Sequence, residues 1–338
     1  MATGRLPNLQ SFGSSVYRGR AADEVSCAMN SITEQWALGE TKHIALSVVI
    51  TTYNYGEVVR RAIDSVLPQL DQHVELLVID DGSSDDTLER LRAIDTPNDK
   101  RAGYMTQANA GPAVARNRAL DYCNGTWVLF LDADDQLVPN AIELVMEKLS
   151  KEPTTDLLLA GHIAQFVDGK EKYHAPSKLP ASARQRVIDY LITKRISVSH
   201  GCSVFRKSAV LDSPYAEELR QGEDIPVFAA MLECDVVRTL DAPLAVISKH
   251  PGSLRNDVDL TIANSHKIAD IVFKRISLEP ERYKPIYMAK RNLSAFRTCC
   301  KADRQREAIA YYKSALRLAP SQALRWTYLK KLVKIWLA

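Results

Sequence analysis

The chain has 338 residues, 46% of them hydrophobic and 25% charged, with a net charge of +3. That is ordinary for a soluble globular protein and long enough for one large α/β domain with an appendage, or two medium domains. The charge is too mild to argue for a nucleic-acid partner. The six cysteines form no Cys-x-x-Cys pair and no zinc spacing with histidine, so a reducing, cytoplasmic compartment is expected. No apolar h-region opens the chain, and no stretch reaches the roughly 18–20 apolar residues of a membrane span.

Residues 1–43 read as an N-terminal extension with no assigned function. Residues 44–52 (IALSVVITT) are a β-branched run that predicts a fully buried strand. Helical spacing follows over 58–70. A second buried strand is expected at 74–80 (VELLVID), then the turn-rich DGSSDD and a helix at 87–94. A short strand closes at 105–106, a helix covers 113–122, and 127–131 (WVLFL) is another buried strand. Alternation of this kind predicts a parallel sheet flanked by helices. Beyond it, helix is expected over 138–149, 184–194 and 225–232, and strand over 157–167 and 236–247. Past residue 260 the pattern is mostly helical, and 307–320 (EAIAYYKSALRLAP) resembles one tetratricopeptide helix without the repeats a solenoid needs.

Open α/β sheets bind ligands beyond the carboxyl ends of their strands. Three predicted strands end there in polar groups: Thr51, Thr52 and Tyr53; Asp80 and Asp81; Asp132, Asp134 and Asp135. The densest is 131–135 (LDADD). Two carboxylates one residue apart past a buried strand suit a hard cation, Mn²⁺ or Mg²⁺, that keeps open positions for phosphate oxygens. The competing use of Asp134 or Asp135 is to cap the helix expected next.

Residues 47–135 resemble the inverting family 2 glycosyltransferases of the GT-A fold. SVVITTYNYGEVVRRAIDSVLPQ, VELLVIDDGSSDDT, NAGPAVARNRAL and GTWVLFLDADD occur in that family's order and spacing. The resemblance implies a GT-A, Rossmann-like mixed sheet over 44–258, with a nucleotide-binding half (44–135), an acceptor half (136–258) and a C-terminal helical region (259–338). It places Thr51 and Tyr53 beside a uridine-type base and ribose. Asp81 would meet the base edge, Asn109 and Gly111 would form a nucleotide-side loop, and Asp132 and Asp134 would hold metal and diphosphate. Arg116 and Asn117 fall on a supporting helix, with Arg116 equally readable as a structural ion-pair residue. In QGED (221–224) Asp224 matches the general base and Glu223 a neighbour on the acceptor side. In VISKHPGSLRN (246–256) His250 matches a loop over the diphosphate, as a metal ligand or phosphate donor. His200 is a candidate for the acceptor pocket.

The expected reaction moves a sugar from a nucleotide-sugar donor, of UDP type, to a glycan or lipid-linked glycan acceptor in surface polysaccharide biosynthesis. A membrane surface is a candidate partner for 326–338 (WTYLKKLVKIWLA), a basic amphipathic helix, which would place the protein at the inner face of the plasma membrane. The alternative is a helix docked on the body. A nucleotidyltransferase would want a Gly- and Lys-rich loop after the first strand, where TTYNYG stands. A dehydrogenase would want G-x-G-x-x-G there. An inactive binding module would be expected to have lost Asp132, Asp134 or Asp224.

Overall fold

The computed structural model describes residues 44–94, 101–249 and 258–337. Its centre is a mixed sheet. The strands are β1 (Leu46–Thr52), β2 (Val74–Asp80), β3 (Ala102–Thr106), β4 (Trp127–Asp132), β5 (Gln136–Leu137), β6 (Leu157–Phe166), β7 (Glu171–His174), β8 (Ser203–Arg206) and β9 (Val237–Lys249). The order is β3-β2-β1-β4-β8-β6-β9-β5, with β7 paired to β6. The strands β3, β2, β1 and β4 are parallel; β8 runs antiparallel to both β4 and β6.

The period-2 alternation of β1 explains the layers. Leu46, Val48 and Ile50 face one side, where they pack on α1 (Gly56–Val66), α2 (Thr87–Arg92) and α4 (Ala141–Lys151). Val49 faces the other side, toward α3 (Pro112–Tyr122), α5 (Ala183–Ile188), α6 (Lys207–Asp212) and α7 (Asp224–Glu233). This second core also takes in Ile268, Val272 and Phe273 of α8 (Val258–Arg275), and Tyr283 and Tyr287 of α9 (Pro280–Lys301). The far half of α9 forms a separate cluster with α10 (Gln305–Leu318) and α11 (Trp326–Leu337).

Two expected helices are corrected. The helix after LDADD begins at Ala141 with the left-handed Asn140 at its cap, so neither Asp134 nor Asp135 caps it. The helix expected over 184–194 stays α-helical only to Ile188. It then widens through Asp189–Thr193, where the Lys194 amide donates back five residues to the Asp189 carbonyl, which also accepts from the Arg195 amide at 2.8 Å. The segment expected as one or two strands is the single long β9, whose length lets it pair with both β6 and β5.

Among the described residues, no helix is long and apolar enough to cross a membrane.

Candidate active site

The parallel register sets the site. Thr51 lies beside Asp132 of β4, and Thr52 beside Asp80 of β2. The central strand therefore ends between two carboxylate-bearing strands, as the sequence predicts.

On the β2 side, Asp80 is buried and accepts from the Ser83 amide at 3.2 Å, which folds the turn back on itself. Asn54, with φ +55°, ties the β1 turn to that loop; its amide donates to Ser83 Oγ at 2.8 Å and its Oδ1 accepts from the Ser84 amide at 2.7 Å. Asp81 accepts from Gln107 Nε2 at 2.6 Å and from the Ala110 and Gly111 amides at 2.9 and 2.7 Å. A carboxylate offers about four acceptor directions, so most of Asp81 is spent fastening the 107–111 loop to the strand end. Gly82 needs glycine: its φ is +74°, and a Cβ there would lie 2.7 Å from the Asn109 amide nitrogen. Arg220 donates to Asn109 Oδ1 at 3.2 Å and crosses close to Gly111, whose φ is +96°. Tyr53, the residue after β1, is 45% exposed.

On the β4 side, one side chain joins both halves of the cleft. Arg116 of α3 is buried; its Nη2 donates to Asp132 Oδ1 at 2.9 Å and its Nη1 to Glu223 Oε1 at 2.6 Å. The guanidinium also lies over the Tyr215 ring, 5.6 Å from its centre. Both partners are carboxylates, so its charge is held firmly. Burial raises the Asp132 pKa, and Arg116 pulls it back. Asp135 is deeply buried and is pushed up to about 8 by that burial and by the charges of Asp132 and Asp134. Its Oδ1 accepts from the Ser248 amide at 2.9 Å, while Ser248 Oγ donates to the Asp134 carbonyl at 2.8 Å. Asp135 thus moors the motif to β9. Tyr55, at the cap of α1, has its phenol pKa raised by burial and then by Asp134, Asp132 and Asp135. Asp134 opens onto a groove of about 850 Å³ that Tyr55, Arg61, Asp85, Phe166 and Lys249 also line.

This donor set fits a divalent cation of the Mg²⁺ or Mn²⁺ kind. Among the described residues no group of three or more His, Cys, Asp or Glu side chains is placed to hold a metal ion. A hard cation that works on phosphates takes one or two carboxylates and leaves its remaining positions to substrate and water. Burial is the largest cause of the raised Asp132 and Asp135, and the added repulsion from Asp134 is what such an ion would relieve.

Asp224 is the first residue of α7 and half-buried, directly after Glu223. Its pKa is raised to about 6, by burial first, then by Glu223; Arg116 opposes the rise and Asp132 adds to it. The expected base therefore lies within electrostatic reach of the expected diphosphate motif, although 92 residues separate Asp224 from Asp132 in sequence.

His200 is not brought to the cleft. It is 5% exposed among Phe130, Phe205, Tyr215 and Phe228, with Nε2 2.9 Å from Tyr215 Oη. Burial holds its pKa well below the usual histidine value, so it stays neutral behind Tyr215. His250 lies outside the described residues. Sequence reading missed Tyr55, Tyr215 and Ser248. The last two reach the site from distant elements, and no local pattern marks them. Tyr55 directly follows the motif residues Tyr53 and Asn54 and was within reach.

Residues 47–212 match the model for "Glycosyl transferase family 2". An uncharacterized glycosyltransferase of Nostoc is 32% identical over 127 residues, which is 38% of this chain and 38% of that protein. A chondroitin synthase of Pasteurella multocida is 35% identical over 109 residues, 32% of this chain and 11% of that one. This chain thus spans well under two thirds of these curated relatives. Staphylococcus aureus TarS 1–349, solved in complex with UDP-GlcNAc, superposes with a TM-score of 0.62 at 21% identity, covering 83% of each chain. A Pyrobaculum calidifontis mannosyltransferase, solved with GDP-Man and Mn²⁺, gives 0.51 at 16% identity over 87% of this chain and 85% of that one. The fold is GT-A, and the domain at residues 47–212 belongs to glycosyl transferase family 2.

Proposed function

We propose that the chain transfers a sugar from a nucleoside-diphosphate sugar, of UDP type, to a hydroxyl of a glycan or lipid-linked glycan, inverting the anomeric carbon. The observation that carries the reading is Arg116, which joins Asp132 of the donor half to Glu223 beside Asp224. That link holds the leaving-group end and the base at one fixed spacing. The acceptor oxygen bonds to the anomeric carbon as the bond from that carbon to the diphosphate oxygen breaks. The electron pair leaves with the nucleoside diphosphate, and the acceptor proton passes to Asp224. A base with a pKa near 6 is charged at neutral pH yet basic enough to take a proton as the oxygen attacks.

Asp132 and Asp134 would hold a divalent cation, which supplies neutralisation of the departing diphosphate. Thr51, Tyr53, Asn109 and Gly111 receive base and ribose, and Asp81 serves the same region by shaping the 107–111 loop. UDP is favoured as the nucleotide because the TarS structures contain UDP-GlcNAc or UDP. The catalytic unit spans 44–258, with 259–338 as a helical region whose last helix meets an anionic membrane surface. Surface polysaccharide synthesis is the pathway this suits.

A panel of nucleotide sugars tests the reading by the release of free nucleotide with and without Mn²⁺ or Mg²⁺. Metal-dependent release from a UDP-sugar is expected, and its loss in Asp134→Ala. No release from any member of the panel would contradict it.

A further inference from the structure

Arg116 joins the two halves of the cleft, yet its own side chain is held only at the outer edge. Nη1 and Nη2 donate to Glu223 and Asp132, while Nε is buried without a hydrogen-bond partner. A guanidinium bonded in that way can swing about its stem, and a swing drags both carboxylates with it. The face of Tyr215 limits that swing, with its ring centre 5.6 Å from Arg116 Cζ. Guanidinium planes settle on aromatic faces of this kind.

Tyr215 lies in the irregular segment between α6 and α7, so no ladder of backbone bonds fixes it. Asn117 does so instead. Its Oδ1 accepts from the Tyr215 amide and its Nδ2 donates to the Tyr215 carbonyl, both at 2.9 Å. Asn117 is the residue after Arg116 on α3, so one helix carries both the cation and the clamp on the ring that faces it.

The ring is also aimed from its far end. Its hydroxyl is 2.9 Å from His200 Nε2, and its edge meets Phe130 at 5.6 Å and 85°. Tyr215 and His200 are only 2% and 5% exposed. Burial keeps the phenol protonated and the imidazole neutral, so the pair puts no charge beneath Arg116. Phe130, Phe205 and Phe228 surround His200, and an apolar pair would fill this core without burying polar groups. A hydrogen bond has a direction that apolar packing lacks, so the Tyr–His pair specifies one ring orientation.

We infer that Tyr215, aimed by His200 and clamped by Asn117, is a positioning residue for the transfer step: its ring sets the plane of the Arg116 guanidinium, and with it the spacing of Asp132, Glu223 and the adjoining Asp224. The inference rests on the transferase reading and adds to it what fixes the geometry of the cleft. A displacement of about 1 Å between reacting groups can cost about 100-fold in rate, so a ring outside the cleft can matter to turnover.

Tyr215→Phe deletes only the hydroxyl, but it leaves His200 Nε2 without a partner and so lowers stability as well. The double variant Y215F/H200L removes the orphaned group, and its urea unfolding should return close to that of the wild type. Turnover is read as Mn²⁺-dependent release of UDP from whichever of UDP-glucose, UDP-galactose, UDP-N-acetylglucosamine and UDP-glucuronate the wild type cleaves fastest. In the double variant kcat should stay about 10-fold down, while KM and calorimetric UDP affinity stay within about twofold of wild type. Asn117→Ala frees the Tyr215 backbone with the hydroxyl pair intact, and it should show the same split. Recovery of kcat together with stability in Y215F/H200L would overturn the inference, as would wild-type kcat in a UDP-competent N117A. A wild type that releases UDP from none of the four would count instead against the transferase reading.

Discussion

At the scale of single residues, the site depends on one buried cation and one strained base. Arg116 neutralises two carboxylates on different elements. Arg116→Met leaves both unpaired and should cost about 3–5 kcal/mol of stability, measured by urea unfolding. It also removes the charge that holds Asp224 down, so the acid limb of the rate profile should move to higher pH. In the wild type kcat/KM should fall about tenfold per pH unit below a midpoint near 6, because only the charged carboxylate accepts the proton. The sign for stability is the reverse. A carboxylate whose pKa is raised on folding destabilises the protein above its folded pKa, and that penalty fades as pH falls toward the unfolded value. Asp224→Asn should therefore melt higher than wild type at pH 8 and lose that advantage near pH 4. Thermal unfolding at the two pH values checks it, and equal melting at both would count against the raised pKa.

At the scale of elements, the buried strands were the most legible part of the chain. β2 falls where VELLVID predicts, and the carboxyl ends of β1 and β4 fall within a residue of expectation. Each is a continuous apolar run bounded by turn residues, so local pattern and burial agree. The two-residue β5 and the short β7 carry no such pattern and exist because β9 and β6 pair with them. The widened turn after Ile188 was hidden because its apolar spacing is that of an ordinary helix. For the site, the carboxylates were legible as residues after strands. Their grouping was not, since Arg116 meets Glu223 across 107 residues of sequence. His200, expected at the acceptor pocket, is instead folded into an aromatic core that no local pattern marks. The loop crossing at Gly82 gives this scale its prediction. Gly82→Ala forces a left-handed alanine against the 107–111 loop and should cost about 1–3 kcal/mol, weakening UDP binding as the loop shifts. Calorimetry with UDP, alongside denaturation, measures both effects.

At the scale of the whole molecule, the sheet's second face, α8 and the first half of α9 share one core, so the C-terminal region is built onto the same face as α7. α11 closes the separate helical cluster through Tyr328, Leu329, Leu332 and Ile335, which leaves Trp326 and Val333 exposed at 67% and 55%. Docking thus uses much of the apolar face that the sequence offered to a membrane. The exposed remainder, with Lys330 beside the Trp326 ring, is what a membrane contact would use. The full chain should co-sediment with anionic vesicles and not with zwitterionic ones, and Trp326→Ala with Val333→Ser should abolish this. Unchanged sedimentation of the double variant would leave α11 as a docking helix alone.

The proposed mechanism divides the labour between Asp132 and Asp134, at the departing diphosphate, and Asp224, at the incoming hydroxyl. The most direct measurement is Asp224→Asn, assayed for UDP affinity by calorimetry and for sugar transfer by turnover in the same preparation. UDP affinity should match the wild type, while turnover falls by about 100-fold or more. Near-normal turnover in Asp224→Asn would contradict the mechanism even with the fold intact.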